Sequence, residues 1–474
     1  MSKKLLIMLT VALMGLFVAS SVMAYDLGDI ANRFKPGGGH TAGTIINPEG
    51  EGDALIFPYY DVRQYGTGVN VKEQDTYFCI INSDIKATSG GVAAKIRFRE
   101  WDKSMEVFDA EIWLSKGDVW CASISRNTIS GYAKITSSDY VITGYSSTSC
   151  GTDQTFTLST PLASGFDFFC PTGYPSISSN LMGYFEVIGS ERTADKAYGT
   201  TTIKVTRLAT GYCDAPNTLA GYAYIVRVAD GVAAGYKATA FANFHTSGLG
   251  LFTGTGTLSP DLSTAEDTLD QIEFLLSKYY VYAGYSVEDI IGGKFSLIMT
   301  FPTKHFHFDS KPYWSIKASP LGKPWTVAHM NGLETISLKI CDRNENCLTG
   351  GWWSPPGASA GLPYEVSILG LYVSTPPTVP AAGIRDNVAA TTSGYQAGWV
   401  AVDFTNIPNP WPPKGKLTYY GWFDLEFTCY TGLPVIGLAM QEFQNGAVGG
   451  WYGEILPAFY RVHWDPLIPQ IPLQ

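Results

Sequence analysis

Apolar and polar positions alternate with period two along much of this chain. Ala94-Lys95-Ile96-Arg97-Phe98-Arg99 is the clearest run. Successive side chains on a strand point to opposite faces, so this run predicts a half-buried strand whose basic face is wet. Thr335 to Ile340 alternates as cleanly. Further β-rich runs lie at Asp53–Tyr60, Thr76–Asn82, Phe108–Leu114, Tyr222–Val228, Phe295–Phe301, Tyr364–Val373, Gly398–Phe404 and Gly421–Cys429. Clusters of Gly, Asn, Asp and Pro separate them, as turns require. Many short strands with 50 Gly and 27 Pro predict an all-β chain of two β-sandwich-like, Ig-like domains rather than βαβ units.

A single helical pattern interrupts the strands. Ser263 or Thr264 can cap it, Glu266 and Asp267 suit its N-terminal dipole, and Leu269, Ile272, Leu276 and Tyr279 form an apolar stripe. This predicts a short amphipathic helix over about 264–279, marking the junction between the two sandwiches. The expected division is a flexible N-terminal extension over 25–52, a first sandwich over 53–250 and a second over 251–474. Pro/Gly-rich loops over 349–363, 374–383 and 406–415 carry Trp352, Trp353 and Trp411.

The N-terminus alters the picture. Lys3 and Lys4, the uncharged apolar run Leu5 to Val18, and Val22-Met23-Ala24 read as a signal peptide over 1–24, leaving a mature chain from Tyr25 with no transmembrane helix. All eight cysteines follow it, in a compartment where disulfides persist, either secreted, at the cell surface or in the periplasm. Eight cysteines allow 105 connectivities, among which sequence alone does not choose. Proximity suggests Cys341–Cys347 and Cys150–Cys170, Cys79–Cys121 is an option between neighbouring strands, and Cys213 and Cys429 remain. No CxxC spacing occurs, which excludes zinc ribbons and thioredoxin-like motifs. Loss of Lys3 and Lys4 with the leader takes the net charge from −10 to −12, which argues against nucleic acid or anionic lipid as partner. Charged residues are 16% of the chain and aromatic residues 14%. Such a surface suits contact with another copy, a polysaccharide or a wall.

Five segments look familiar together: Gly52 to Tyr60 (GDALIFPYY), Arg97 to Glu100 (RFRE), Ser104 to Trp120 (SMEVFDAEIWLSKGDVW), Thr300 to Lys304 (TFPTK) and Gly432 to Ala439 (GLPVIGLA). They resemble a group of exported bacterial β-rich proteins that carry no assigned activity. The resemblance implies export and supplies no catalytic residues. The segments themselves read as structural, with Ser115 to Asp118 as a turn and Phe98, Phe108, Ile112 and Leu114 as core.

Candidate chemistry is sparse. Gly357-Ala-Ser359-Ala-Gly361 matches GxSxG but sits between Pro355-Pro356 and Leu362-Pro363, so it lacks the strand and helix of a nucleophile elbow. His305, His307 and Asp309 would share one face of a strand and could hold a transition metal there, against the simpler reading of a polar strand face. Asp342, Asn344 and Asn346 have a calcium-like spacing inside a Cys341–Cys347 loop. A cysteine stands where the EF-hand pattern wants glycine, so a disulfide-closed polar turn is favoured and no cofactor is expected. Glu100 and Asp102, beside Arg97, Arg99 and Lys103, read as an ordinary solvated surface with weak ion pairs.

The favoured function is a non-enzymatic extracellular structural protein that self-assembles into a filament or surface layer. The alternatives are a carbohydrate-binding or adhesion protein using Trp352, Trp353 or Trp411, a secreted glycoside hydrolase, and an outer-membrane β-barrel.

Overall fold

The computed structural model describes residues 44–65, 71–85, 91–145, 154–169, 180–193, 202–205, 217–244, 261–262, 272, 275–278, 280–307, 334–335, 337–349, 353–354, 361–362, 364–374, 386–404, 415–419, 423–427, 433–445 and 450–461. The chain is all-β, and among the described residues no helix reaches seven residues. No helix among the described residues is long and apolar enough to cross a membrane.

Nine strands build the frame of the first half: β1 (Ala54–Asp61), β2 (Asp75–Asn82), β3 (Gly91–Glu100), β4 (Glu106–Leu114), β5 (Val119–Arg126), β6 (Ala133–Thr136), β7 (Met182–Thr193), β8 (Leu219–Arg227) and β9 (Val232–Lys237). Sheet I has nine strands, with β1, β7, β3 and β4 side by side at its centre. Sheet II runs Phe166–Asp167, β6, β5, β2, β8, β9. Phe57, Phe98 and Phe185 of sheet I meet Phe78 and Trp120 of sheet II, with Phe57 stacked on Phe185 at 4.2 Å and Phe78 4.6 Å from Phe185.

The second half repeats the two-layer arrangement with β10 (Tyr280–Ser286), β11 (Lys294–Thr300), β12 (Ser337–Asp342), β13 (Cys347–Thr349), β14 (Val366–Tyr372), β15 (Ala397–Asp403), β16 (Ile436–Asn445) and β17 (Gly450–Pro457). Sheet III runs β13, β12, β15, β10, Phe459–Arg461. Sheet IV runs Trp353–Ser354, Val388–Thr391, β14, β11, β16, β17. Val281, Val400 and Ile340 of sheet III pack on Leu297, Met299 and Leu369 of sheet IV.

Sheet IV is buried on both faces. Ile298, Val366, Ile368, Ile436, Leu438 and Met440 turn away from sheet III and join the core of the first sandwich. This explains why β11 reads as the apolar run Phe295 to Met299 instead of alternating, since a strand covered on both sides has no wet face. Strand β1 is likewise fully buried and carries Pro58 at its centre. The register against β7 skips there: Gly183 pairs with Tyr60 and Phe185 with Phe57. A bulge is the place a central strand can hold a proline, which has no N–H for the ladder. The Pro58 carbonyl accepts a 2.5 Å hydrogen bond from Thr300 Oγ1 of β11, tying the two sandwiches together.

Three expectations change. The basic face of β3 is not wet: Lys95, Arg97 and Arg99 are 3%, 4% and 5% exposed. Part of the N-terminal extension is ordered, with Ile45–Ile46 pairing on Thr239–Ala242 at the edge of sheet I and Gly52 bridging to Leu219. The helical stretch ends by Leu276, because Ser277–Lys278 already pairs as a strand with Leu433–Pro434. Its stripe residues Ile272 and Leu276 enter the first core as expected, while 264–271 lie outside the described residues.

Candidate functional site

The titratable groups gather where the two sandwiches meet, and β3 positions them. In the register of β3 on β4, Lys95 lies opposite Glu111, Arg97 opposite Asp109 and Arg99 opposite Glu106. Every basic residue of one strand therefore faces an acid on the next. The contacts form directly and diagonally: Lys95 with Asp109 and, at 2.7 Å, Glu111; Arg97 with Glu106 at 2.6 Å; Arg99 with Glu186 of β7 at 2.7 Å. Burial works against the Arg99 charge, but Glu186, Tyr184, Asp261 and Glu106 together outweigh it and hold the guanidinium above its ordinary pKa. Within a covered face, such pairing is what makes the charges tolerable.

At the end of β3 the chain turns into β4 through Trp101 to Met105, with Ser104 in the left-handed region at φ 52°. Glu100, 1% exposed, closes this turn. Its Oε2 accepts the Asp102 N–H at 2.7 Å, and Oε1 accepts those of Lys103 at 2.8 Å and Met105 at 3.1 Å. Burial pushes the Glu100 carboxyl up to about 7, aided by the Asp102 charge and opposed by the three N–H donors. The neighbouring Asp102 is also raised, first by burial.

The second sandwich lays Thr300 to Lys304 against this turn. The Tyr184 hydroxyl stands 2.9 Å from Ser104 Oγ, 3.2 Å from the Pro302 carbonyl and 3.4 Å from His305 Nδ1. The Val366 N–H donates to the Trp101 carbonyl at 3.0 Å, and Trp101 meets Tyr364 edge to face at 4.4 Å. The RFRE and TFPTK segments thus come together, while β16, from the GLPVIGLA segment, pairs with β11 beside them.

A second polar cluster lies at the C-terminal end of β1, where Tyr60 and Glu100 flank Gly183 of β7. The buried Asp61 carboxylate accepts from the Tyr59 hydroxyl at 2.5 Å, from Tyr65, and from Arg63 at 2.8 and 3.0 Å. Burial would raise Asp61, but Arg63 and these hydrogen bonds hold it below the usual carboxylate range. Nearby, Arg227 of β8 reaches Glu442 of β16 at 2.8 Å, a buried ion pair between the sandwiches. The cavity lined by Gln74, Arg227, Met440 and Glu442 measures about 10 Å³, room for roughly one water.

Only some of the residues singled out from the sequence fall among the described ones. Residues Lys304–His307 form a 3-10 turn, so His305 and His307 do not share a strand face. The turn replaces the strand because Phe301 caps it, accepting the Lys304 N–H on its carbonyl at 3.2 Å. His305 is buried against Phe306 with ring centroids 3.8 Å apart, and Asp309 lies outside the described residues. Asp342 folds back on its own loop: its carboxylate accepts the Asn344 and Asn346 N–H groups at 2.8 and 2.9 Å and Asn346 Nδ2 at 2.9 Å. Hydrogen bonds from Asn346 and Asn344 hold its carboxyl below the usual range. Among the described residues, no group of three or more His, Cys, Asp or Glu is placed to hold a metal. Cys79–Cys121 and Cys341–Cys347 are disulfides, each joining directly opposed residues of neighbouring strands. Cys150, Cys170, Cys213 and Cys429 lie outside the described residues, as do Trp352, Trp411 and Ser359. Trp353 begins a short strand pairing with Ala390.

Glu100 and Asp102 are not the solvated surface their charged neighbours suggested. The available signal was the complementary alternation of Lys95, Arg97 and Arg99 with Glu106, Asp109 and Glu111, which marks a matched pair of strands. The chain matches no family model, no curated protein and no solved structure.

Proposed function

We propose that this chain is an exported, non-enzymatic structural subunit that assembles with copies of itself on or outside a bacterial cell. One observation carries the reading. The groups that chemistry would use, Glu100, Asp61, Arg99 and Glu186, are turned onto their own backbone or onto each other, where they join strands and sandwiches. Glu100 directs its oxygens at its hairpin's N–H groups and not toward a cleft. The cavity beside Arg227 is far below the ~300–1,000 Å³ of a ligand site. Two cross-strand disulfides and a core continuous across both halves supply the rigidity an extracellular building block needs. Leader, low charge and high aromatic content agree with export and association.

The test is size-exclusion chromatography with light scattering on the oxidised chain from Tyr25, together with negative-stain imaging of purified protein and shed cell-surface material. Ordered oligomers, filaments or a lattice are expected. A chain that stays monomeric at high concentration, with no ordered material on cells, overturns the reading.

A further inference from the structure

The outward face of sheet II is nearly free of charge. Strands β5, β2, β8 and β9 alternate between core and outside, with Cys79 of β2 buried on the outward side. Their register sets Tyr224 directly opposite Tyr77, and Cys79 between Tyr222 and Cys121. Three tyrosines therefore surround a disulfide, with Ile81, Val119 and Val226 extending the patch. Tyr77 is 40% exposed, and Tyr224 and Val119 are each 42% exposed. Charge enters mainly on the outer strands, as Asp75, Lys237 opposite Tyr222, and Lys134 opposite Asp167, with Asp139 accepting the Cys121 N–H at 2.8 Å.

We propose that two copies of this chain meet face to face through this surface, with Tyr77, Tyr222 and Tyr224 at the centre of contact. The proposal rests on the self-association reading above and names its interface. Area supports it. Strands β6, β5, β2, β8 and β9, spaced ~4.8 Å apart and averaging about seven residues of ~3.3 Å each, give roughly 550 Å² per copy. Two copies then bury roughly 1,100 Å², just beyond the ~1,000 Å² a specific interface needs. Charge supports it as well. Mature copies carrying −12 each repel one another, and a face where two lysines offset Asp75 and Asp167 is where that repulsion is weak. Tyrosine at the centre with charge at the rim is the composition that protein interfaces favour.

Ring geometry distinguishes a second copy from a polysaccharide. Tyr222 and Tyr224 lie edge to face, their planes 73° apart with centroids at 5.5 Å. Rings standing across one another interdigitate with another side-chain surface, whereas sugar stacking uses rings lying flat and parallel. The outward face of sheet III provides a control. It also centres on a disulfide, but Lys339 covers Trp399 there at 5.1 Å and Asp403 flanks it.

The experiment compares the oxidised chain from Tyr25 with its Tyr77→Glu, Tyr224→Glu and Lys339→Glu variants by light scattering and analytical ultracentrifugation. Melting curves confirm the fold. Each tyrosine variant is expected to weaken association about 30-fold or more, as loss of a central tyrosine anchor does, while Lys339→Glu leaves it unchanged. Mixing Tyr224→Glu with Tyr224→Lys protein at low salt is expected to restore it. Should a tyrosine variant fail to fold, Ser123→Lys, opposite Tyr77 on β5, takes its place. If the parent associates and the folded variants associate equally, this face is not the interface and self-association stands. A monomeric parent removes both. A monomeric parent held on insoluble polysaccharide only while Tyr77 and Tyr224 are present reassigns the face to sugar.

Discussion

Glu100 concentrates the residue-scale physics of this protein. It sits in a five-residue hairpin whose backbone N–H groups need an acceptor, and it supplies one under complete burial. In an unfolded chain the same carboxyl titrates near ~4.3. The folded state, at about 7, binds a proton that the unfolded state has released across that window. Stability from this site is therefore present at low pH and lost as pH rises from about 4.3 through 7, by about 3 to 4 kcal/mol. Glu100→Gln removes this dependence. It costs about 1 kcal/mol at pH 5, because its amide NH₂ would face the Asp102 N–H. Urea unfolding of both proteins at pH 5 and pH 8 checks it: the parent is expected to be more stable at pH 5 and less stable at pH 8. A difference that ignores pH would assign the titration elsewhere.

At the scale of elements, pattern and register carry different information. The turn at Ser115 to Asp118 was legible, and it forms with Gly117 at φ 67° and with Ser115 N and Oγ each 3.1 Å from Asp118 Oδ2. Cys341–Cys347 was legible from proximity and Cys79–Cys121 as one option between neighbouring strands, yet their energetic weights differ. Cys79–Cys121 spans 42 positions and Cys341–Cys347 spans 6. By chain entropy the first stabilises by about 4 kcal/mol and the second by about 2 kcal/mol. Replacing Cys79 and Cys121 together by Ser should therefore cost about twice what replacing Cys341 and Cys347 does, read as shifts in denaturant midpoint. Equal losses would mean that native contacts outweigh loop closure. The burial of β3 was not legible. Alternation shows that a strand has two chemically different faces, but a basic face looks the same whether water or an opposing sheet covers it.

For the whole molecule, the continuous core makes a prediction about cooperativity. Chains of this length often unfold in stages. Here Ile298, Ile368 and Met440 of the second half complete the core of the first, and Arg227–Glu442 and Thr300–Pro58 cross the junction. The two sandwiches are expected to melt in a single calorimetric transition. Arg227→Met, which removes the buried Arg227–Glu442 ion pair across the junction, is expected to lower that transition and to begin to split it, at a cost of about 3 to 5 kcal/mol. Two well-resolved transitions in the parent protein would show that each sandwich stands by itself.

The sequence by itself determined the all-β class, the main strands, the short Cys341–Cys347 closure and the structural character of its familiar segments. These follow from neighbours in sequence, because period-two alternation, turn residues and cysteine proximity are local properties. Only the tertiary structure decided that sheet IV is covered on both faces, that Glu100 and the charges of β3 are dry, and that His305 lies in a turn. It alone brought Tyr77, Tyr222 and Tyr224 onto one face. Those outcomes depend on which sheet lies against which, and the burial of a charge is set by what arrives from hundreds of residues away.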